Sequence, residues 1–296
     1  MDTKVVWTAR GLVYWKSRAF SYPSLLKNMQ KNILNSWVDD GMSDCCNWES
    51  VQCNATTRRV MQLSFIWTRK FDYDNDNAFN GFPILDFSLF LPFQELQSLD
   101  LLGHGFEGWK ESKANYDDSF GSLKQLKMLD LSDNYFNDSV LSYLSTLTSL
   151  TTLNLGFNSI ESVKPKQGLA NLRNLQELDL SGNNIKGLEL SNLTNLEVLS
   201  LRYSGIDGSM MRSLGLSNLT NLKVLNLGGN DMKDPFESEE LVNLRNLEEL
   251  DLGDNGINST GLSKGFGNLR NLRRLDLTGN QITTLGSLTS QGNRNN

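Results

Sequence analysis

Aspartate recurs in the phrase Leu-Asp-Leu, and carboxylates repeated at one position are the residues of this chain best suited to acid–base chemistry. Two neighbouring carboxylates can shift each other's pKa values and so divide the roles of proton donor and acceptor. The chain has one histidine, His104, and it lacks a Gly-x-Ser-x-Gly motif, a phosphate-binding loop and a dinucleotide-binding glycine motif. The recurring aspartates are Asp100, Asp130, Asp179, Asp251 and Asp276. Because these aspartates belong to a sequence motif that recurs along the chain, we interpret them as part of a scaffold and predict no catalytic residue.

Three cysteines, Cys45, Cys46 and Cys53, lie within nine residues and could indicate a metal site. A structural zinc site needs four ligands at suitable spacing, and only the distant His104 could complete this set. We therefore expect neither a metal nor any other cofactor. Bonding between the adjacent Cys45 and Cys46 would strain the disulfide, and an odd count leaves at least one thiol unpaired.

Composition limits the classes of protein that need to be considered. The chain has 296 residues, of which 39% are hydrophobic and 21% charged, and this balance indicates a folded protein rather than a disordered one. The net charge of -6 comes with no basic stripe, so nucleic acid is not an expected partner. No apolar run approaches the roughly 18 residues that span a bilayer. Arg10 interrupts the apolar run of residues 1–23, so we interpret this segment as an atypical leader without a convincing signal peptide.

The elements that must position these residues are copies of one pattern, Leu-x-x-Leu-x-Leu-x-x-Asn. Alternate leucines of a copy, such as Leu129 and Leu131, point to the same side of a strand. One short strand cannot bury its leucines alone, so we expect the copies to stack into a parallel sheet around a continuous core. A weaker copy opens at Val60. Eight good copies begin at Leu96, Leu126, Leu150, Leu175, Leu196, Leu222, Leu247 and Leu272.

This pattern resembles the leucine-rich repeat family over residues 59–285, with about nine copies. The resemblance implies an α/β solenoid, a horseshoe or superhelix, with a parallel concave sheet. The asparagine that ends a copy should satisfy backbone groups of its own turn and of the neighbouring copy. His104 and Ser204 replace it in two copies. No Gly-x-Ile-Pro step recurs on the returning segments, so we expect short helical turns or irregular backbone there and no additional convex sheet. The turn asparagines are Asn134, Asn158, Asn183, Asn230, Asn255 and Asn280.

Residues 24–58 are predicted to form an N-terminal cap. Apolar residues from Leu25 to Ile33 recur at helical spacing, which predicts an amphipathic helix. Trp37, the run Asp-Cys-Cys-Asn-Trp and Cys53 follow. This order resembles the cap of plant leucine-rich repeat receptors, apart from Ser50, where the family has glycine.

The resemblance to that cap implies a disulfide between Cys46 and Cys53. It leaves Cys45 without the upstream cysteine that pairs with it in the family, so the state of Cys45 stays open. Residues 286–296 are predicted to be a polar tail without a closing cap. Together with the leader, this tail suggests a fragment or an altered gene product of a longer receptor.

The family implies a non-enzymatic receptor-like protein of plants, placed on the extracellular side of the plasma membrane. Such an ectodomain binds a protein, peptide or microbial ligand and signals through a partner receptor kinase. Export would make five sequons glycosylation sites. They are Asn54, Asn137, Asn192, Asn218 and Asn258.

Three alternatives remain open. A secreted inhibitor of cell-wall-degrading enzymes uses the same cap and repeats, but it would end in a closing cap. An intracellular scaffold is the second alternative. The cap speaks against it, because its disulfide would be reduced in the cytosol. A truncated product without function is the third.

The residues just after the strands vary between copies and indicate where a ligand could bind. Most copies place serine or glycine there. Phe157 breaks this habit in one copy, and Arg202 with Tyr203 breaks it in another. Aromatic residues and arginine are enriched at binding hot spots. We therefore predict a contact patch of Phe157, Glu177, Arg202 and Tyr203 on three successive strands, although these residues could also pack only against their neighbours.

Overall fold

A computed structural model describes residues 44–65, 84–85, 87, 90, 92–109, 123–163, 168–233, 238–258 and 266–283. The leader at 1–23, the amphipathic helix of the cap and the tail at 286–296 lie outside these ranges. The chain divides into two compact units, Met1–Phe136 and Asn137–Asn296. Each unit is built from short strands and one-turn helical segments.

In the first unit, the described residues open with a 3-10 turn at Cys45–Asn47. One antiparallel strand then pairs with a run of parallel strands. Within this unit the sheet has the order β1-β2-β4-β6, in which β1 runs antiparallel to β2 and the remaining pairs are parallel. Two further strands, β3 and β5, pair with each other. The strands are β1 (Val51–Cys53), β2 (Val60–Ser64), β3 (Ile84–Leu85), β4 (Ser98–Asp100), β5 (Gly108–Trp109) and β6 (Met128–Asp130).

The second unit is a regular stack of parallel strands. Within this unit the sheet has the order β7-β9-β11-β12-β13-β14, and β8 pairs separately with β10. One α-helix, α1 (Val140–Leu144), and 3-10 turns at Leu169–Asn171, Gly208–Leu214, Leu216–Asn218, Ser238–Leu241 and Phe266–Asn268 carry the chain back between strands. The strands are β7 (Thr152–Asn154), β8 (Ser162–Val163), β9 (Glu177–Asp179), β10 (Gly187–Leu188), β11 (Val198–Ser200), β12 (Val224–Asn226), β13 (Glu249–Asp251) and β14 (Arg274–Asp276).

The leucines of the repeat form the core because they stack in register. Leu178 of β9 lies opposite Leu199 of β11, which lies opposite Leu225 of β12. Each of these three side chains is at most 1% exposed. Burying one leucine contributes roughly 1.5–3 kcal/mol. The predicted α/β leucine-rich repeat solenoid with a parallel sheet is confirmed, since successive copies pair their strands in parallel and bury the leucines of the repeat.

The turn asparagines form the predicted ladder. The Asn183 side-chain amide donates to the Leu180 carbonyl of its own turn and to the Leu155 carbonyl of the preceding copy, both at 2.9 Å. Its Oδ1 accepts the backbone N–H of Ile160 at 3.0 Å. Ser204 replaces asparagine and still donates to the preceding copy, to the Leu180 carbonyl at 2.9 Å. The side chain therefore bridges copies even where its type changes.

A second ladder of asparagines runs along the segments that lead into the strands, and the sequence reading did not identify it. Asn221 donates its side-chain amide to the Thr194 carbonyl of the preceding copy at 2.9 Å, and Asn246 does the same to Thr220 at 2.8 Å. These bonds lie at the exposed surface. The second asparagine of the phrases Asn-Leu-Thr-Asn-Leu and Asn-Leu-Arg-Asn-Leu was the available signal. Asn174, Asn195 and Asn271 complete the row.

The expectation of no additional sheet on the returning segments is wrong, because β3 pairs with β5 and β8 with β10. Val163 and Leu188 are buried at 2% and 3% exposure, whereas the residue preceding each of them is only half-buried. The backbone N–H of Lys186 donates to the Glu161 carbonyl at 2.6 Å beside this pair. Alternate burial and register between copies are therefore enough to make these strands without a recurring proline.

Candidate functional site

The aspartate column serves the turns that follow the strands. Asp179 Oδ1 accepts the backbone N–H of Ser181 at 2.7 Å, and Asp251 Oδ1 accepts that of Gly253 at 2.9 Å. Asp276 accepts both the N–H and the hydroxyl of Thr278, and these hydrogen bonds lower its pKa below the usual value. A carboxylate held in its charged form is a poor proton donor. The geometry agrees with the interpretation of these aspartates as scaffold residues, even where two of them are adjacent in the sheet, as Asp251 and Asp276 are.

His104 occupies the position of a turn asparagine, and its ring is held by neighbouring residues. Its Nε2 lies against the Phe65 carbonyl, and its ring stacks on Phe106 with centroids 5.5 Å apart. Burial lowers its pKa to about 4, against an opposing effect of the hydrogen bond to Phe65. The ring is therefore neutral at pH 7 and bridges two copies as the asparagines do.

The cysteine cluster contains the implied disulfide. Cys46 and Cys53 are bonded, with their Cα atoms 5.4 Å apart. The three sulfur atoms lie within 4.8 Å of one another, but two of them are already used in the bond. Cys45 is a free thiol, 4% exposed, and burial raises its pKa. The disulfide links the 3-10 turn to β1, in the cap segment that precedes β2.

The residues of the predicted contact patch lie on the open face of the sheet in the second unit. By open face we mean the face that carries the side chains between the buried leucines. Phe157 is 59% exposed and Tyr203 is 51% exposed, the highest values among large hydrophobic side chains of the described residues. Glu177 is exposed at the start of β9. The strands β7, β9 and β11 are neighbours in the sheet, so the structure places these three residues on one surface.

Phe157 and Tyr203 share one backbone position, which we call the rim position: the residue directly before the turn asparagine or its replacement. Both have a left-handed backbone, with φ of 54° and 52°. Left-handed φ is uncommon for residues other than glycine and a genuine outlier for bulky ones, at a cost of the order of 1–3 kcal/mol. Three other copies of this unit put glycine there, at Gly182, Gly229 and Gly279. The two aromatic residues thus occupy a position where their backbone conformation lowers the stability of the fold.

Arg202 points away from Phe157, towards the later strands. Its Nη1 lies 3.6 Å from Asp251 Oδ2 on β13, and its Nη2 donates to the Tyr203 hydroxyl at 3.3 Å. The guanidinium carbon also lies 5.0 Å from the centre of the Tyr203 ring. Its pKa is raised, first by the bond to Tyr203 and then by the charges of Asp251 and Asp254. Arg202 therefore fixes Tyr203 and links it to a second group of residues.

That second group borders a shallow cavity of about 180 Å³ on the open face. Glu249 and Arg274, which border this cavity beside Arg202, were not among the residues predicted from the sequence. Their alignment in one column of the repeat was the available signal. The polar lining residues are Arg202, Asn226, Glu249, Asp251, Arg274 and Asp276.

The five sequons differ in exposure. Asn137, Asn192 and Asn218 are exposed, whereas Asn54 and Asn258 are half-buried. Asn137 Oδ1 accepts the backbone N–H of Ser139 at 3.0 Å, which leaves its amide nitrogen at the surface. Glycosylation of the five remains a prediction, with these three better placed to carry a glycan.

Comparison with known families matches the chain in several places. A model described as leucine rich repeat N-terminal domain matches residues 24–54, and leucine-rich repeat models match 125–147, 148–206, 218–235 and 245–290. The part of the chain that the structure describes holds no helix long and apolar enough to cross a bilayer.

Two similar proteins come from the plant Arabidopsis thaliana. Receptor like protein 21 of Arabidopsis thaliana is 38% identical over 185 residues, which are 60% of this chain and 18% of that protein. Receptor-like protein 9a of the same plant is 36% identical over 159 residues, 54% of this chain and 16% of that protein. The chain thus spans less than a fifth of the length of these relatives.

A solved structure agrees with the fold. The leucine-rich repeat ectodomain of the Arabidopsis thaliana membrane receptor kinase GASSHO1/SCHENGEN3, in complex with CASPARIAN STRIP INTEGRITY FACTOR 2, has a TM-score of 0.60 and 25% identity. The likeness covers 92% of this chain and 30% of that one. The chain belongs to the leucine-rich repeat proteins, and it is similar to plant receptor-like proteins.

Proposed function

We propose that this chain is a recognition segment of the extracellular region of a plant receptor-like protein. It binds a protein or peptide ligand on the open face of its second unit and performs no catalysis. Signalling proceeds through a partner receptor kinase, as the family resemblance implies. The similarity to two receptor-like proteins and to a receptor kinase ectodomain bound to a factor supports this proposal.

The observation that carries the proposal is the pair of exposed aromatic side chains at strained rim positions. Phe157 and Tyr203 are each more than half exposed and each adopts a positive φ. A residue that neither fills the core nor suits its backbone gains nothing for stability. Strain of this kind is typical of functional sites, and exposed Tyr and Phe are typical of binding hot spots.

The test uses a library of random 12-residue peptides displayed on phage and selected against the immobilised chain. We expect the enriched peptides to bind the unchanged chain and to lose at least tenfold in affinity for the double variant Phe157→Gly, Tyr203→Gly. Glycine suits the rim position, so the variant keeps the backbone and removes only the rings. Asp133→Gly, the same change at the rim position of the first unit, is the matched control and should bind as the unchanged chain does. Enrichment that survives the double variant would refute the assigned surface.

A further inference from the structure

The rim positions of the second unit alternate between glycine and a larger residue, and each larger side chain leans on the glycine of the next copy. A Cβ atom added to Gly182 would lie 2.5 Å from Cδ1 of Phe157, and one added to Gly229 would lie 2.0 Å from Cε1 of Tyr203. The two rings therefore rest on glycine backbone and lean in the same direction. One ring is presented for every two copies.

The backbone ladder holds this arrangement in place. The Phe157 N–H donates to the Ser181 carbonyl at 2.6 Å, and the Tyr203 N–H donates to the Gly228 carbonyl at 3.0 Å. Arg202 additionally holds the Tyr203 hydroxyl at 3.3 Å. Because the rings are positioned before a ligand arrives, binding does not require them to be ordered.

The spacing of the two rings selects a ligand conformation. Neighbouring strands lie about 4.8 Å apart, so side chains two copies apart that lean alike are about 9.6 Å apart. A polyproline II helix rises about 3.1 Å per residue with three residues per turn, so one face recurs every 9.3 Å or so. A β-strand repeats its face about every 6.8 Å and does not match. A polyproline II segment running across the strands would place every third residue on a ring.

The charges beside the rings indicate which charge the ends of that segment should carry. Glu177 is exposed on the strand between the two rings and has no ion-pair partner among the described residues. On the other side of Tyr203, two guanidinium groups lie among four carboxylates. The cations are Arg202 and Arg274, and the carboxylates are Glu249, Asp251, Asp254 and Asp276. Negative charge is in excess on both sides, which favours a ligand with basic residues.

We propose that the rim formed by Phe157 and Tyr203 binds a proline-rich segment in the polyproline II conformation, flanked by basic residues. Aromatic side chains are the usual partners of such segments, because their preformed conformation loses little entropy on binding. This inference rests on the proposed function, since it names the ligand class of the same open face.

The test measures binding of one synthetic peptide by fluorescence anisotropy. The peptide has 12 residues, with leucine at every third position between prolines and an arginine at each end. We expect micromolar binding, a loss of at least tenfold in Phe157→Gly and in Tyr203→Gly, and no change in Asp133→Gly. Replacing the prolines by alanine, or the arginines by glutamate, should also weaken binding at least tenfold. Glu177→Gln should reduce the preference for arginine over glutamate ends.

Two results would overturn the inference. If the alanine peptide binds as well as the proline peptide, the conformation is wrong. If the proline peptide does not bind while random peptides without prolines are enriched on the same rings, the ligand class is wrong and the proposed function stands. Failure of both the proline peptide and the random library would overturn the two together. Thermal unfolding of each glycine variant shows whether a loss of binding reflects a loss of fold.

Discussion

At the scale of single residues, the structure separates side chains that support the fold from side chains that do not. The aspartates of the column accept hydrogen bonds from the turns, and His104 bridges two copies in place of an asparagine. Phe157 and Tyr203 instead expose most of their surface at a backbone conformation that suits glycine. A residue whose contribution to stability is small or negative and whose exposure is high is a binding candidate on physical grounds.

The strain at the rim predicts that removing the rings does not harm stability. Phe157→Gly and Tyr203→Gly relieve a left-handed conformation that costs of the order of 1–3 kcal/mol, while glycine adds about 0.4–1 kcal/mol of entropy cost on folding. We expect each variant to unfold within about 1 kcal/mol of the unchanged chain, or to be more stable. Urea unfolding measures this difference. A loss above 2 kcal/mol or so would mean that the rings serve packing instead of binding.

His104 predicts a loss of stability at acidic pH. Its pKa is about 4 in the folded chain, below the ordinary value of 6.5, so the unfolded state binds the proton more readily. The stability that the neutral ring provides is present above pH 6.5 and is lost as the pH falls towards 4. We expect acidification from pH 7 to pH 5 to cost the first unit about 1–2 kcal/mol through this group.

His104→Asn is the matched control for that loss, because asparagine occupies the same place in most copies and does not titrate. Unfolding of both chains by urea at several pH values gives the comparison. An identical pH dependence in the two chains would contradict the assignment to His104.

At the scale of elements, two asparagine ladders join the copies, and they differ in burial. Asn183 is 4% exposed and bonds to four backbone groups, whereas Asn221 is exposed and bonds to one. A buried backbone group that loses its partner costs about 1–3 kcal/mol, whereas an exposed one turns to water. The buried ladder therefore sets the stability of the strand turns, and the exposed ladder adds little to it.

This contrast predicts unequal effects of the same substitution. Asn183→Ala should cost about 1–3 kcal/mol, since it leaves the buried Ile160 N–H without its partner. The Leu155 and Leu180 carbonyls keep the side chains of Asn158 and Ser204 as donors. Asn221→Ala should cost less than about 1.5 kcal/mol. Denaturant unfolding of both variants under one condition checks the order. Equal losses would show that the two ladders contribute alike.

At the scale of the whole molecule, the cysteines report on the compartment in which the chain folds. The bond between Cys46 and Cys53 requires an oxidising environment, and burial of Cys45 with a raised pKa protects the remaining thiol. A chain exported as proposed carries one thiol and one disulfide. A chain kept in the cytosol carries three thiols.

Thiol labelling of protein purified from plant cells distinguishes these states. We expect iodoacetamide to modify almost no cysteine in the native chain and one cysteine, Cys45, after denaturation without reductant. Mass spectrometry of the labelled peptides identifies the site. Three labelled cysteines after denaturation would contradict the extracellular location.

Much of the fold is readable from the sequence, because the signals are local and repeated. The alternation of Leu129 and Leu131 within one strand, and the asparagine three residues beyond Leu131, depend on backbone geometry over a few residues. The pairing of Cys46 with Cys53 follows from the cap that the motif resembles. The sequence also predicts Glu177, Phe157 and Tyr203 as contact residues, because they depart from a pattern that the remaining copies define.

Tertiary structure decided what depends on contacts between copies more than 20 residues apart. Ser162–Val163 and Gly187–Leu188 form strands because they meet in register, and neither segment carries a strand signal of its own. Arg202 turns towards Asp251, and the Phe157 ring packs on Gly182. Both contacts depend on which side chain faces which neighbour across the sheet. The positive φ that makes the two aromatic residues costly is set by the hydrogen-bond ladder of the turns. The sequence alone thus determined the repeat and its core through local periodicity, whereas packing between copies decided the shape of the proposed binding surface.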